Sequence, residues 1–264
     1  EEKSARFHGI NMEGPFVSHA KKGAQNGAFI HNPDIAMFDR LQEASGGCVK
    51  LLAIAPEQEG AMELIAQRHS GTVMSLAHTC ADYDICMEAF EKGANHVTHL
   101  YNAMNPYTHR APGPVGAAAD KACAEVELIC DGVHIHPAAV RTTFKIFGDG
   151  RIILISDSMR ATGLEDGDYT LGGQAVKVTG NLATLHDGTI AGSVTNLLDC
   201  MRTAVLKMGI PLESAVKCAA VNPAKCVGIY DKHGSISAGK KADVVLLKKD
   251  GLALQQVILG GKLL

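Results

Sequence analysis

Apolar residues along this chain alternate between two periods. Residues 6–12, 48–55, 72–77, 96–100, 126–130 and 151–155 form short runs, most of them rich in Val, Ile and Leu, which the pattern predicts as strands. Between them, residues 33–44 place Ile35, Phe38 and Leu41 at helical spacing, residues 57–68 do the same with Met62, Leu64 and Ile65, and residues 82–92 form a third helical stretch stopped by Gly93. Strand followed by helix, repeated over the first three units, predicts parallel strands joined by helical crossovers, with every strand's carboxyl end on one face. The fold class is therefore α/β, a (β/α)8 TIM-like barrel. Six of its strands are legible, ending near Glu13, Pro56, His78, His99, Asp131 and Asp157. Closure needs eight, so two further strands are expected on the N-terminal side of residue 1.

The texture changes after Asp157. Residues 169–192 are rich in Gly, Thr and Val and predict a β-hairpin insertion, whereas residues 194–208 and 212–220 return to helical spacing. Two strand runs, 243–247 and 255–259, lie in the tail. The expected organisation is a catalytic barrel over residues 1–233 and, over 234–264, the C-terminal strands of a small β-sandwich domain.

Composition narrows the function classes. With 264 residues, 46% hydrophobic, the chain can bury a large core. A net charge of −3, with no basic cluster longer than Lys21-Lys22, Lys240-Lys241 or Lys248-Lys249, argues against a nucleic-acid partner. No apolar run reaches membrane-spanning length and the first residues read as neither a signal nor a transit peptide, so a cytoplasmic protein without a membrane partner is expected. The eight cysteines are dispersed without a C-x-x-C pair, which suits reduced thiols.

Candidate chemistry sits where the strand runs stop. V-T-H-L-Y-N-A-M (97–104) couples a β-branched run to His99, residues 72–77 deliver His78, and residues 6–12 deliver Glu13 just before Gly-Pro. The 21-residue separation of the two histidines suits one short β-α-β unit, so His78, His99 and Glu13 can converge. On these residues alone, a satisfied core histidine and a salt-bridged carboxylate at a strand tip stay open.

Specific motifs then occur in one order: M-E-G-P-F (12–16), L-A-H-T (76–79), T-H-L-Y-N-A-M (98–104), D-G-V-H (131–134), S-D-S (156–158), A-G-S (191–193), N-P-A (222–224) and G-x-I-x-x-G-K-x-A-D (234–243). Together, over essentially the whole chain, they resemble the N-acetylglucosamine-6-phosphate deacetylases of the amidohydrolase superfamily. The resemblance implies Glu13, His78 and His99 as ligands of a divalent metal, Zn or Fe, with one ion or two left open. It implies Asp157 as the catalytic acid/base. Substrate contacts are implied for Asn102, Ala103, Arg110, Asp131 and His134, and further ones for Ala24 and the Ile190-Ala191-Gly192 segment. Arg110 is implied to reach a neighbouring subunit's site, hence a homodimer acting on a phosphosugar. One departure is Gln25, where several members have His; a neutral amide donates a hydrogen bond but carries no charge. The activity so implied is hydrolysis of N-acetylglucosamine 6-phosphate to glucosamine 6-phosphate and acetate in amino-sugar catabolism. Alternatives are an amidohydrolase for another N-acetyl amino sugar or a cyclic amide, and a non-catalytic sugar-phosphate-binding homologue.

Overall fold

The computed structural model describes residues 5–264. Its centre is a six-stranded parallel sheet, β1 (Ile10–Glu13), β2 (Val49–Ile54), β3 (Val73–Leu76), β4 (His96–Val97), β5 (Glu125–Ile129) and β6 (Ile152–Ile155). The strands pair in sequence order and curl into part of a barrel. The crossovers carry α1 (Ile35–Ala44), α2 (Ala61–Arg68), α3 (Tyr83–Glu91), α4 (Gly113–Asp120) and α5 (Pro137–Phe147). Asp34 caps α1 by accepting the Met37 N–H at 2.6 Å, and Asp82 caps α3 by accepting that of Ile85 at 3.0 Å. Each cap satisfies an amide that the first helical turn leaves unpaired.

The two faces of the sheet differ. Leu52, Ile54, Met74, Leu76, Val97, Val126, Leu128 and Ile152 pack with Leu64 and Ile65 of α2 and with Cys86 and Phe90 of α3 in one core. Leu64 and Ile65 are wholly buried, each contributing about 1.5–3 kcal/mol by removal from water. The intervening positions put Ser75, His96, Thr98 and Glu127 on the other face, also buried. Ser75 Oγ ties two of them together, 2.8 Å from His96 Nδ1 and 2.6 Å from Thr98 Oγ1. A polar layer thus lies beneath the carboxyl ends of the strands.

After β6 comes an antiparallel meander of β7 (Gly167–Leu171), β8 (Gln174–Thr179) and β9 (Leu182–Thr184), one strand more than the hairpin expected from the sequence. Its inward Val176, Val178 and Ala183 form a second small core with Met159 and Ala191. Helix α6 (Leu197–Leu206) follows, then α7 (Leu212–Val216), a π-helical turn over Lys217–Val221 and α8 (Asn222–Cys226). Helical structure thus continues past residue 220, where the sequence reading stopped. Pro223, at the first positions of α8, lacks the N–H an α-helix interior needs, and the wider π turn precedes it. The tail forms an antiparallel sheet of β10 (Val244–Leu247), β11 (Leu254–Leu259) and β12 (Lys262–Leu263), again one strand more than expected. No helix is long and apolar enough to cross a membrane among the described residues.

Candidate functional site

Three strand ends use the same device. His78 lies two residues beyond β3, His99 two beyond β4 and Asp157 two beyond β6, and each has a left-handed backbone, with φ of 44°, 31° and 50°. For residues with a Cβ this conformation costs about 1–2 kcal/mol each, so surrounding contacts must impose it. It turns the side chain off the strand line and into the mouth of the sheet.

Those contacts are identifiable. The segment after His78 is pinned by Glu57, whose Oε2 accepts the Thr79 hydroxyl at 2.5 Å and whose Oε1 accepts the Cys80 N–H at 2.6 Å. Thr79 N–H also donates to Ala103 O at 3.1 Å. Glu127, from the polar layer, accepts the His99 N–H at 3.2 Å. Asp157 O receives the Ser193 N–H at 2.7 Å, and Ser193 O receives that of Met159 at 2.8 Å.

Glu13, His78 and His99 offer ligand atoms that all lie within 4.8 Å of one another. His78 Nε2 is 2.6 Å from Glu13 Oε1, His99 Nε2 is 3.4 Å from the same oxygen, and the two Nε2 atoms are 3.1 Å apart. His78 Nδ1 is 2.7 Å from Lys21 O, a carbonyl that can only accept, so Nδ1 carries a proton and the ring is held with Nε2 facing Glu13. His99 Nδ1 is buried with no partner among the described residues, while Glu127 holds the His99 backbone. Two imidazole nitrogens crowded against one carboxylate oxygen need positive charge between them, either protons on the rings or a metal ion. The donor set therefore fits a divalent metal bound by nitrogen and oxygen. Gln25 adds a further hydrogen bond, its Nε2 donating to Glu13 Oε1 at 3.3 Å. A Cβ at residue 14 would lie 2.9 Å from Gln25 Oε1, and φ there is 96°, so Gly14 is required for this arrangement.

The electrostatics follow from burial and proximity. Burial disfavours the Glu13 carboxylate, but hydrogen bonds from His78 and His99 outweigh it and hold its pKa well below the usual range. Burial likewise disfavours the His99 imidazolium, yet the Glu13 hydrogen bond and charge raise its pKa to about 9. This is a place built to hold positive charge. Asp157 is pushed up to about 6, first by burial and then by the Glu13 charge. Burial also raises Glu127 to about 7 and lowers His96 to about 3.

Glu13, His78, His99 and Asp157 line a cavity of about 790 Å³ together with Ala24, Asn102, Ala103, His134, Ile190 and Gly192. The meander closes one side: Gln174 Nε2 donates to Ala24 O at 2.5 Å and Asn26 Nδ2 to Gly172 O at 3.3 Å. Asn102 turns its amide onto the carbonyls of His99 (3.1 Å) and Leu100 (3.3 Å). Asp131 does not line the cavity but locks His134, accepting its Nδ1–H at 2.7 Å and its backbone N–H at 3.0 Å. Ala191 is buried behind the wall. Arg110 is exposed, in a turn where Thr108 N–H donates to Ala111 O at 3.1 Å, and does not line the cavity of its own chain. Sequence reasoning passed over Glu57, Glu127, Ser193 and Lys21. The signal for Glu57 was available, since it follows Pro56 at the carboxyl end of β2 as Glu13 ends β1.

The amidohydrolase family pattern matches residues 8–264. The N-acetylglucosamine-6-phosphate deacetylase of Bacillus subtilis (strain 168) is 41% identical over 247 residues, 93% of this chain and 62% of that protein. The N-acetylgalactosamine-6-phosphate deacetylase of Escherichia coli O157:H7 is 36% identical over 260 residues, 98% of this chain and 68% of that protein. Among solved structures, an aspartate-to-alanine variant of N-acetyl-D-glucosamine-6-phosphate deacetylase from Mycobacterium smegmatis, in complex with N-acetyl-D-glucosamine-6-phosphate, superposes with a TM-score of 0.92 at 38% identity, over 97% of this chain and 68% of that one. The chain thus spans about two thirds of the length of these relatives.

Proposed function

This chain belongs to the amidohydrolase family, and from that premise we propose that it hydrolyses the acetamide of N-acetylglucosamine 6-phosphate, releasing acetate and glucosamine 6-phosphate. The observation that carries the reading is the convergence of Glu13, His78 and His99 with Asp157 on one cavity. Glu13, His78 and His99 hold a divalent cation, Zn or Fe; when bound, it polarises a carbonyl and makes water acidic enough to serve as a nucleophile near neutrality. Asp157 accepts the proton of the attacking water and delivers it to the departing amine. Its raised proton affinity suits a group that must both take and give a proton near neutral pH. Asp131 keeps the His134 ring in one orientation, its Nδ1 occupied, so that Nε2 is left for a sugar oxygen.

The Mycobacterium smegmatis relative holds this substrate in a variant lacking an aspartate, which supports an acid/base role for a carboxylate in the group. Arg110, exposed and not among the residues lining its own cavity, is read as serving the cavity of a second copy, so a homodimer is proposed, with the cytoplasm as its location. The Escherichia coli relative supports a second reading, the C4 epimer N-acetylgalactosamine 6-phosphate. Steady-state assays of the metal-loaded protein on both epimers, with and without the phosphate, decide between them. Release of acetate from N-acetylglucosamine 6-phosphate at a kcat/KM at least tenfold above the other three is expected. Equal rates with and without phosphate refute the phosphosugar assignment. Arg110→Ala should weaken the phosphorylated substrate alone.

A further inference from the structure

The cavity needs a positive group wherever it meets an anion, and Arg110 does not line it from within the chain. Among the described residues that line it, the Lys or Arg is Lys21. Its ammonium donates to Met104 O at 3.3 Å, directly after the Asn102-Ala103 turn. That carbonyl engages one of three N–H bonds and carries no charge. No carboxylate of the described residues lies within ion-pairing distance of the Lys21 head. By contrast the neighbouring Lys22 folds onto its own loop, at 3.4 Å from Gly23 O and 3.3 Å from Gln25 O, and stays out of the cavity wall.

We propose that Lys21 is the cation this chain itself supplies to the anionic end of its cavity, where it meets the substrate phosphate and sets the preference for phosphorylated over unphosphorylated amino sugar. The inference rests on the proposed deacetylase reading. Two parts of one residue serve two purposes: the Lys21 carbonyl fixes the His78 ring, and the four-carbon stem carries the charge to Met104 O, next to the Ala103 that lines the cavity. A lysine head acts on phosphate as a point charge with rotatable donors. Its loss therefore removes affinity for the anion without touching the backbone carbonyl that His78 uses.

The test is Lys21→Met, which keeps an unbranched stem, with Lys21→Arg as the charge-conserving partner. For the metal-loaded protein, the ratio of kcat/KM on N-acetylglucosamine 6-phosphate to that on N-acetylglucosamine should fall about tenfold or more in Lys21→Met, through KM rather than kcat, and Lys21→Arg should restore most of it. Inorganic phosphate, used as a competitive inhibitor, should weaken by a similar factor. An unchanged ratio, or equal losses on both sugars, overturns the proposal. A wild-type protein that hydrolyses neither sugar refutes the deacetylase reading instead. Calorimetric titration with inorganic phosphate then still decides on Lys21: equal affinity in wild type and Lys21→Met overturns its role, and loss of binding in the variant supports it.

Discussion

Replacing Glu57 by alanine should loosen metal binding although Glu57 touches no ligand atom. The substitution removes two acceptors, one for the Thr79 hydroxyl at 2.5 Å and one for the Cys80 N–H at 2.6 Å. Hydrogen bonds to a charged group are worth about 1.5–3 kcal/mol each, and Glu57 is only half-buried, so the lower end applies and the pair contributes about 3 kcal/mol. What they hold is the residue pair after His78, whose left-handed backbone (φ 44°) returns about 1–2 kcal/mol once released. Part of the loss therefore appears as a displaced His78 ring rather than as global unfolding. Removing such outer supports typically weakens metal binding about 10–100-fold. Competition with a chromophoric chelator measures that affinity, with thermal melting of the metal-free protein run in parallel. Glu57→Gln, which retains an acceptor for Cys80, should fall between alanine and wild type. Metal affinity within twofold of wild type in Glu57→Ala, or a loss that mirrors the melting shift alone, refutes the argument.

Three further outcomes are expected. Asp157 must be ionised to take a proton, so turnover should fall as pH drops through a midpoint at or below about 6, the metal's charge pulling that midpoint down; a rate that rises on acidification across this range contradicts the role, as does an active Asp157→Asn. Asn222, 2% exposed, donates to Asp149 O and Ile152 O at 2.7 Å each. Asn222→Ala should therefore cost about 2–5 kcal/mol by stranding two carbonyls, read as a shifted urea midpoint, and a change under 1 kcal/mol sinks it. Stripping a metal present at about a hundred times its Kd should remove about 2.7 kcal/mol of stability; a melting curve indifferent to chelator would show that Glu13, His78 and His99 hold no ion in the native state.

His78 and His99 were legible because a strand run that stops on a titratable residue looks the same in sequence as in space. The supports beneath them were not. Glu127 sits inside a strand, and nothing in E-V-E-L-I says that its carboxylate caps the backbone of the neighbouring strand's His99. The strand expected over residues 96–100 is only His96–Val97, because the turn that presents His99 begins where continued β structure was read. Helix α4 escaped for another reason: Gly113 to Ala118 are all buried, so G-P-V-G-A-A has no polar face and hence no period to detect. Helix α5 does carry a spacing, in Val140, Thr143 and Phe147, and with Pro137 at its start it was open to the same periodic reading as α1.

The uncrossed strand order carries a consequence for how the molecule is made. Among the described strands of the large sheet, each after β1 pairs with the one synthesised just before it, so a nascent chain can extend this part of the sheet one β-α unit at a time. The centre matures on a different schedule. Glu13 emerges first, yet meets His78 across 65 residues and His99 across 86. Asp157, the group read as moving the proton, arrives later still. A nascent chain that has released His99 but not yet Asp157 would therefore present Glu13, His78 and His99 without that carboxylate, behind an open strand edge that invites the wrong neighbour.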